Sequence, residues 1–428
     1  MSKTLTFKEK KLRGTITVPG DKSISHRAVM FGSLAKGKTT ITNFLAGEDC
    51  LSTIEAFEAM GVKITRNNQT VVVESDGIKG LKEPMEPINL GNSGTTARLL
   101  MGILSALPYH FTLYGDPSLT KRPMDRITNP LREMGAKIDG RGNGKFLPIA
   151  VRGSNLKPIH YNTPMKSAQV KSGVLLAGLL TDGKTTVVED TKTRDHTENM
   201  LKAFGADIAV EGNAVTVNGN QPLSACDIEV PGDISSAAFF LVAAAITQDS
   251  EVKIENVGLN PTRTGIIDVL ELMDVDISIK EKRTIGGEPI GDIVVKSSKP
   301  KAATIEGDII PRIIDEIPVI ALLATQAEGT TIIKDAEELK FKETDRIESV
   351  VQTLKALGAE IEPTSDGMII QGNARLKGAE TNSYGDHRIG MMISVASLLI
   401  DEKVELNDEQ CIAVSYPTFF EDLDKLLQ

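Results

Sequence analysis

One local ending recurs along the chain and constrains its fold more tightly than any composition figure. A short helix closes on Gly and turns into a hairpin-like pair of strands. It stands at residues 54–60 with Gly61-Val62-Lys63-Ile64, and again at Leu131-Arg132-Glu133-Met134-Gly135-Ala136-Lys137-Ile138. A third copy is Met200-Leu201-Lys202-Ala203-Phe204-Gly205-Ala206-Asp207-Ile208. Residues 269–273 with Asp274-Val275-Asp276-Ile277 form a degenerate fourth, and Leu354-Lys355-Ala356-Leu357-Gly358-Ala359-Glu360-Ile361 is the fifth. Residues 419–427 read as the opening of a sixth, cut off by the C-terminus. Gly suits the left-handed residue just past a helix, where a Cβ would clash.

Each unit also carries a helix apolar on most sides, at 28–34, 96–107, 170–180, 237–246, 318–324 and 389–400. Such helices belong inside a core. A strand follows each, at 39–44, 111–114, 185–188, 251–254, 330–333 and 403–406. A spacing of roughly 70 residues exceeds solenoid repeats and fits a small βαβαββ fold. The reading is α/β (α+β), with six units in two groups of three.

The grouping follows from a second echo. Val18-Pro19-Gly20-Asp21 recurs as Val230-Pro231-Gly232-Asp233. Read as two chain crossings, the pair predicts one domain over 21–234 and another over 1–20 plus 235–428. The second domain then takes the alternating N-terminal strand at 12–18. The alternative reading of the pair is a recurring strand-exit turn.

Composition limits the partners. With 428 residues the chain can bury more than one core. A net charge of −10 argues against nucleic acid or an anionic membrane as partner. Residues 1–11 lack the apolar core of a secretory signal, and no run of about 18 apolar residues exists. Cys50, Cys226 and Cys411 are scattered singly, so neither a disulfide framework nor a zinc site is expected. A reducing cytoplasm is the simplest setting.

Gly32-Ser33-Leu34-Ala35-Lys36-Gly37-Lys38-Thr39 matches the phosphate-loop pattern literally. That mechanism needs a strand before and a helix after. Here the order is reversed, so the match is a helix-to-strand turn of the repeat.

Polar and often cationic residues gather where the buried helices begin. Lys22, Ser23 and Arg27 follow Asp21; Asn92-Ser93-Gly94-Thr95-Thr96 precedes Arg98; Thr120-Lys121-Arg122-Pro123-Met124-Asp125-Arg126 packs three cations into a loop. Ser167-Ala168-Gln169 and Thr193-Arg194-Asp195-His196-Thr197-Glu198 open further helices, as do Asp315-Glu316-Ile317-Pro318, Lys342-Glu343-Thr344-Asp345-Arg346 and Gly385-Asp386-His387-Arg388. Capping alone explains several of these, the Asp315-Glu316 pair and Glu198 among them. The charge runs are also compatible with solvated faces. Together, Lys22, Arg27, Arg122, Arg194, Lys342, Arg346 and Arg388 suit an acidic protein that binds one or two phosphorylated or carboxylated small molecules. Lys22, Asp315 and Glu343 are the candidate acids and bases. No metal-ligand spacing is present among the five histidines.

In that order these motifs resemble the 5-enolpyruvylshikimate-3-phosphate (EPSP) synthase family over nearly the whole chain. The resemblance rests on Asp21 to Arg27, Leu90-Gly91-Asn92-Ser93-Gly94-Thr95, Lys121-Arg122-Pro123-Met124, Ser167-Ala168-Gln169, Lys342 to Arg346 and Gly385 to Arg388. It implies an inside-out enolpyruvyl transferase fold, with two domains closing on substrate. It implies transfer of the enolpyruvyl group of phosphoenolpyruvate to the 5-hydroxyl of shikimate 3-phosphate, through a tetrahedral intermediate, without metal or organic cofactor. Lys22, Ser23, Arg27, Ser167, Gln169, Arg194, Asp315 and Lys342 would hold shikimate 3-phosphate. Lys22, Gly94, Arg122, Gln169, Arg346 and Arg388 would hold phosphoenolpyruvate. Asp315 would take the hydroxyl proton, while Lys22 and Glu343 would handle protonation at the methylene carbon and the later elimination. A monomer is implied, with glyphosate a candidate inhibitor.

The chain departs from the family pattern at Ala413-Val414-Ser415-Tyr416-Pro417, where many members carry a Lys. Ser167-Ala168-Gln169 and the Thr193–Glu198 stretch resemble the family's second class, often less sensitive to glyphosate. Gly94 keeps the small residue associated with room for that inhibitor, so sensitivity stays open. Two alternatives remain. A UDP-N-acetylglucosamine enolpyruvyl transferase typically has Lys-Asn near the N-terminus and a reactive Cys in the loop; here Lys22 precedes Ser23 and residues 116–126 hold no Cys. A non-catalytic phosphoanion-binding protein would not need Asp315 and Glu343 beside the cations.

Overall fold

In the computed structural model, residues 2–285 and 287–428 are described. The chain forms two compact units, one of residues up to Pro19 together with Pro231–Gln428, the other of Gly20–Val230.

Among the described residues, the Gly20–Val230 unit contains three four-stranded sheets of identical plan. The plainest runs from His160–Asn162 through the buried helix Ala168–Leu179 to Lys184–Val188, which pairs parallel to the first strand. The helix His196–Ala203 then leads into Ile208–Glu211 and Ala214–Asn218, an antiparallel hairpin. Ala214–Asn218 returns to pair with Lys184–Val188, giving a βαβαββ unit. The first repeat differs in one respect: its first strand, Ile228–Glu229, comes from the far end of the segment and lies parallel to Lys36–Thr42. The other unit makes the matching exchange, with Arg13–Thr17 parallel to Glu251–Gly258. Each Val-Pro-Gly-Asp link thus leaves a strand of one unit and enters a buried helix of the other, Lys22–Leu34 or Ile234–Ile246.

The sixth repeat is completed by the N-terminal strand Ser2–Leu5. It pairs antiparallel with Val404–Asn407, where the other repeats place a hairpin strand. The helix Phe419–Leu426 follows, and Leu427 bridges back to Leu12.

The repeat ending has the expected backbone. Gly61, Gly135, Gly205 and Gly358 have φ of 88°, 99°, 85° and 96°. In the degenerate copy Asp274 takes that role at φ 59°, as Asp tolerates the left-handed region better than most residues. The phosphate-loop match falls on the end of the Lys22–Leu34 helix and the start of the Lys36–Thr42 strand, the order that mechanism cannot use.

The apolar helices are the cores. In Ile234–Ile246 every residue up to Ala245 is buried. Helices Gly94–Ser105 and Ala168–Leu179 approach so closely that a Cβ on Gly102 would lie 2.1 Å from the Gly173 carbonyl oxygen. The 413–417 segment is anchored by Tyr416, whose ring packs edge-on against Phe240 and Phe419. Its hydroxyl donates to Asp422 at 3.1 Å, and burial raises its pKa, with Asp422 adding to the rise.

Candidate active site

In the Gly20–Val230 unit the site residues stand on helix starts. Asp21 caps Lys22–Leu34 by accepting from the Ile24 amide at 2.9 Å. Lys22, in the first turn, pairs with the buried Asp49 at 2.5 Å. Arg27, one turn on, is buried and tied on three sides. Its Nε donates to Thr197 Oγ1 at 2.7 Å, Nη2 to Ser172 Oγ at 2.8 Å and Nη1 to the Ser23 carbonyl at 3.0 Å. Ser23 is half-buried beside it.

The second helix start is a cradle of guanidinium groups. Ser93 caps Gly94–Ser105 by accepting from the Thr96 amide at 3.1 Å. A Cβ at position 94 would lie 2.9 Å from both Arg98 Nη1 and Arg122 Nη2, so only Gly leaves these cations where they are. Arg98 donates to Gln169 Oε1 at 2.6 Å, and Gln169 Nε2 donates to Thr95 Oγ1 at 3.0 Å. Gln169 is therefore fixed between the second and third buried helices. Ser167 caps the third, accepting weakly from the Val170 amide at 3.4 Å.

Two buried networks support these starts. His26 Nδ1 meets Thr53 Oγ1 at 2.7 Å, Thr53 meets Thr96 at 2.7 Å, and Thr96 meets Ser93 at 2.7 Å. This hydroxyl chain joins the Lys22–Leu34 helix to the cap of Gly94–Ser105. Burial drives the His26 pKa well below 6.5, and the charges of Lys22 and Arg27 push it further down against the opposing Asp21. The second network centres on buried Lys171, whose Nζ lies 2.8 Å from Glu189 Oε2 and 2.8 Å from Glu198 Oε1. Burial disfavours its charge, but the two carboxylates outweigh that and raise its pKa. Glu189 also accepts from the Thr193 hydroxyl, next to half-buried Arg194. Glu198 is therefore an ion-pair partner rather than a helix cap, and Asp195 makes no side-chain cap bond.

In the other unit the site residues converge on Arg346. Its side chain is 1% exposed and binds three carboxylates. Nε and Nη2 donate to Asp386 at 2.7 and 3.2 Å, Nη2 also to Glu343 at 2.6 Å, and Nη1 to Asp315 at 3.1 Å. Burial alone would disfavour its charge; Asp386, Glu343 and Asp315 overcome this and raise its pKa. Asp315 also faces Lys342 Nζ at 3.4 Å and Arg388 Nε at 3.8 Å. Three cations thus meet three carboxylates, Asp315, Glu343 and Asp386. Asp386 doubles as a cap, accepting from the Arg388 amide at 2.9 Å. Asp315 and Glu316 are not side-chain caps of Ile317–Thr325. The acids and bases of the sequence reading fall into both units, Lys22 in one, Asp315 and Glu343 in the other.

Asp49, Lys171 and Glu189 were not singled out by the sequence. Arg98 was legible as a cation one turn past Gly94. The others acquire meaning only through partners far along the chain.

The plan of repeats is that of an enolpyruvyl transferase. The enolpyruvyl transferase NikO of Streptomyces tendae shares the fold with a TM-score of 0.78 at 18% identity, covering 99% of this chain and 96% of that one. Closer similarity decides the family. Residues 7–423 match EPSP synthase (3-phosphoshikimate 1-carboxyvinyltransferase), and the chain belongs to that family. The 3-phosphoshikimate 1-carboxyvinyltransferases of Bacillus cytotoxicus and Bacillus subtilis are each 58% identical to it, over 98% and 97% of this chain and 99% and 97% of theirs. The EPSP synthase of Acinetobacter baumannii superposes with a TM-score of 0.88 at 45% identity, over 100% of this chain and 98% of its own.

Proposed function

We propose that the chain transfers the enolpyruvyl group of phosphoenolpyruvate to the 5-hydroxyl of shikimate 3-phosphate and releases phosphate, a step of chorismate and aromatic amino-acid biosynthesis. The observation that carries the mechanism is the Arg346 cluster. A buried guanidinium holds Asp315 and Glu343 in one place, with Lys342 and Arg388 beside Asp315.

Asp315 takes the proton of the 5-hydroxyl as its oxygen attacks C2 of phosphoenolpyruvate. Lys22 and Glu343 deliver a proton to C3, giving the tetrahedral intermediate. Loss of a proton from that carbon then expels phosphate and restores the double bond. Shikimate 3-phosphate is assigned to Lys22, Ser23, Arg27, Ser167, Gln169, Arg194, Asp315 and Lys342. Phosphoenolpyruvate is assigned to Lys22, Gly94, Arg122, Gln169, Arg346 and Arg388. Bringing two anions together needs many cations, and preorganised ones cost no reorganisation during reaction.

Each compact unit serves as one domain of the transferase, and the enzyme acts as a cytoplasmic monomer with no cofactor. No described helix is long and apolar enough to cross a membrane. Glyphosate is a candidate inhibitor, with Gly94 the small residue associated with room for it. The Asp315→Ala variant is expected to lose phosphate release by at least about a hundred-fold, while keeping phosphoenolpyruvate binding within a few-fold. Full turnover in that variant would remove Asp315 from the mechanism.

A further inference from the structure

Asp315 and Glu316 are adjacent carboxylates with different partners. Asp315 faces Lys342 and Arg346. Glu316 is 0% exposed, and its Oε1 accepts the hydroxyl proton of Ser235. A carboxylate this deep is costly unless it is hydrogen-bonded and charge-compensated. One route of compensation runs through Ser235. Arg263 Nη2 donates to Ser235 Oγ at 2.7 Å and to Asp233 Oδ1 at 2.9 Å. Asp233 in turn caps Ile234–Ile246 by accepting from the Ser235 amide at 2.9 Å. Because Ser235 accepts from Arg263, its single proton is committed to Glu316, and the chain has one direction. All four side chains are buried.

We infer that Glu316 is a positioning residue for Asp315, anchored through Ser235 and Arg263 to the Asp233 turn that follows the second chain crossing. Turning the peptide between Asp315 and Glu316 works against both the Arg346 contact and the Ser235 bond. The anchor holds the aspartate at one angle toward Lys342 and Arg346. A residue needed only to cap Ile317–Thr325 would not be turned toward another helix. The inference rests on Asp315 being the base.

The test is phosphate release by Ser235→Ala, Ser235→Thr, Glu316→Gln and Asp315→Ala, each normalised to folded protein by thermal denaturation. Ser235→Ala removes the anchor but leaves the Arg263–Asp233 pair intact, so it is the variant least exposed to misfolding. Its kcat is expected to fall roughly 10- to 100-fold with both KM values within about three-fold, since a small displacement of a catalytic group acts on turnover. Ser235→Thr, which keeps the hydroxyl, restores most of kcat. Glu316→Gln, whose amide oxygen still accepts from Ser235, loses less kcat than Ser235→Ala, and the double variant is no worse than the poorer single one. A Ser235→Ala kcat within about two-fold of the parent, alongside an inactive Asp315→Ala, overturns the anchor and leaves the base standing. An active Asp315→Ala overturns the base itself.

Discussion

Lys171 lies between Glu189 and Glu198 inside the Gly20–Val230 unit, all three almost without exposure. Removing its charge strands two buried carboxylates, and breaking such pairs typically costs about 3–5 kcal/mol. Lys171→Met should lower the denaturant midpoint accordingly, while Glu189→Gln alone, which leaves Lys171 with Glu198, should cost less. Equal effects of the two would contradict the pairing. His26 gives a sign that pH can read. Its pKa is depressed in the folded chain by burial, then by Lys22 and Arg27. Above the unfolded value near 6.5 both states are neutral and stability is complete; as pH falls below it, the unfolded chain binds the proton first and stability declines. The decline is at most about 1.4 kcal/mol per pH unit for one group. Urea denaturation at several pH values should show His26→Gln losing less stability than the parent below that point. Parallel curves would contradict the depressed pKa.

Charge at the residue scale was legible, but its partners were not. Lys22, Arg27, Arg346 and Arg388 stand out as cations at helix starts, and they lie there. Glu198 and Glu316 read equally well as caps, because a carboxylate in a first helical turn satisfies the same sequence rule whichever way it points. Only the fold turns one toward Lys171 and the other toward Ser235.

The buried helices approach through glycine. Gly102 faces the Gly173 backbone, and no side chain separates them. Gly102→Ala places a methyl 2.1 Å from a carbonyl oxygen that cannot move aside as a flexible side chain can. A loss of roughly 1–3 kcal/mol or more is expected in chemical denaturation. A variant as stable as the parent would contradict the close approach. Elements with strong periodicity, such as the six apolar helices and the strands after them, were readable because pattern and packing agree. The apolar run alone understates the first of them: Lys22–Leu34 starts six residues ahead of 28–34, with polar residues in its first turn. Ser2–Leu5 and Ile228–Glu229 were missed as strands because their partners are 399 to 405 and 187 residues away, as in Leu5↔Val404 and Ile228↔Ile41. Pairing at that separation leaves no local signature.

At the scale of the whole chain, the Val18–Asp21 and Val230–Asp233 echoes are the two links between units, and each opens a buried helix, Lys22–Leu34 with the candidate residues Lys22, Ser23 and Arg27, and Ile234–Ile246 with the Ser235 anchor. In the sequence, the echo and the repeat count point to the same two-group division. The candidate residues divide with it: Lys22, Ser23, Arg27, Gly94, Arg122, Ser167, Gln169 and Arg194 belong to one unit, and Asp315, Lys342, Glu343, Arg346 and Arg388 to the other. The reaction proposed here requires both sets in one chain. The measurement that tests it most directly is phosphate release from phosphoenolpyruvate by the purified full-length chain, with shikimate 3-phosphate or UDP-N-acetylglucosamine as acceptor. The account predicts stoichiometric release with shikimate 3-phosphate and none with the nucleotide sugar. Release only with the nucleotide sugar, or binding of both anions without release, would contradict it.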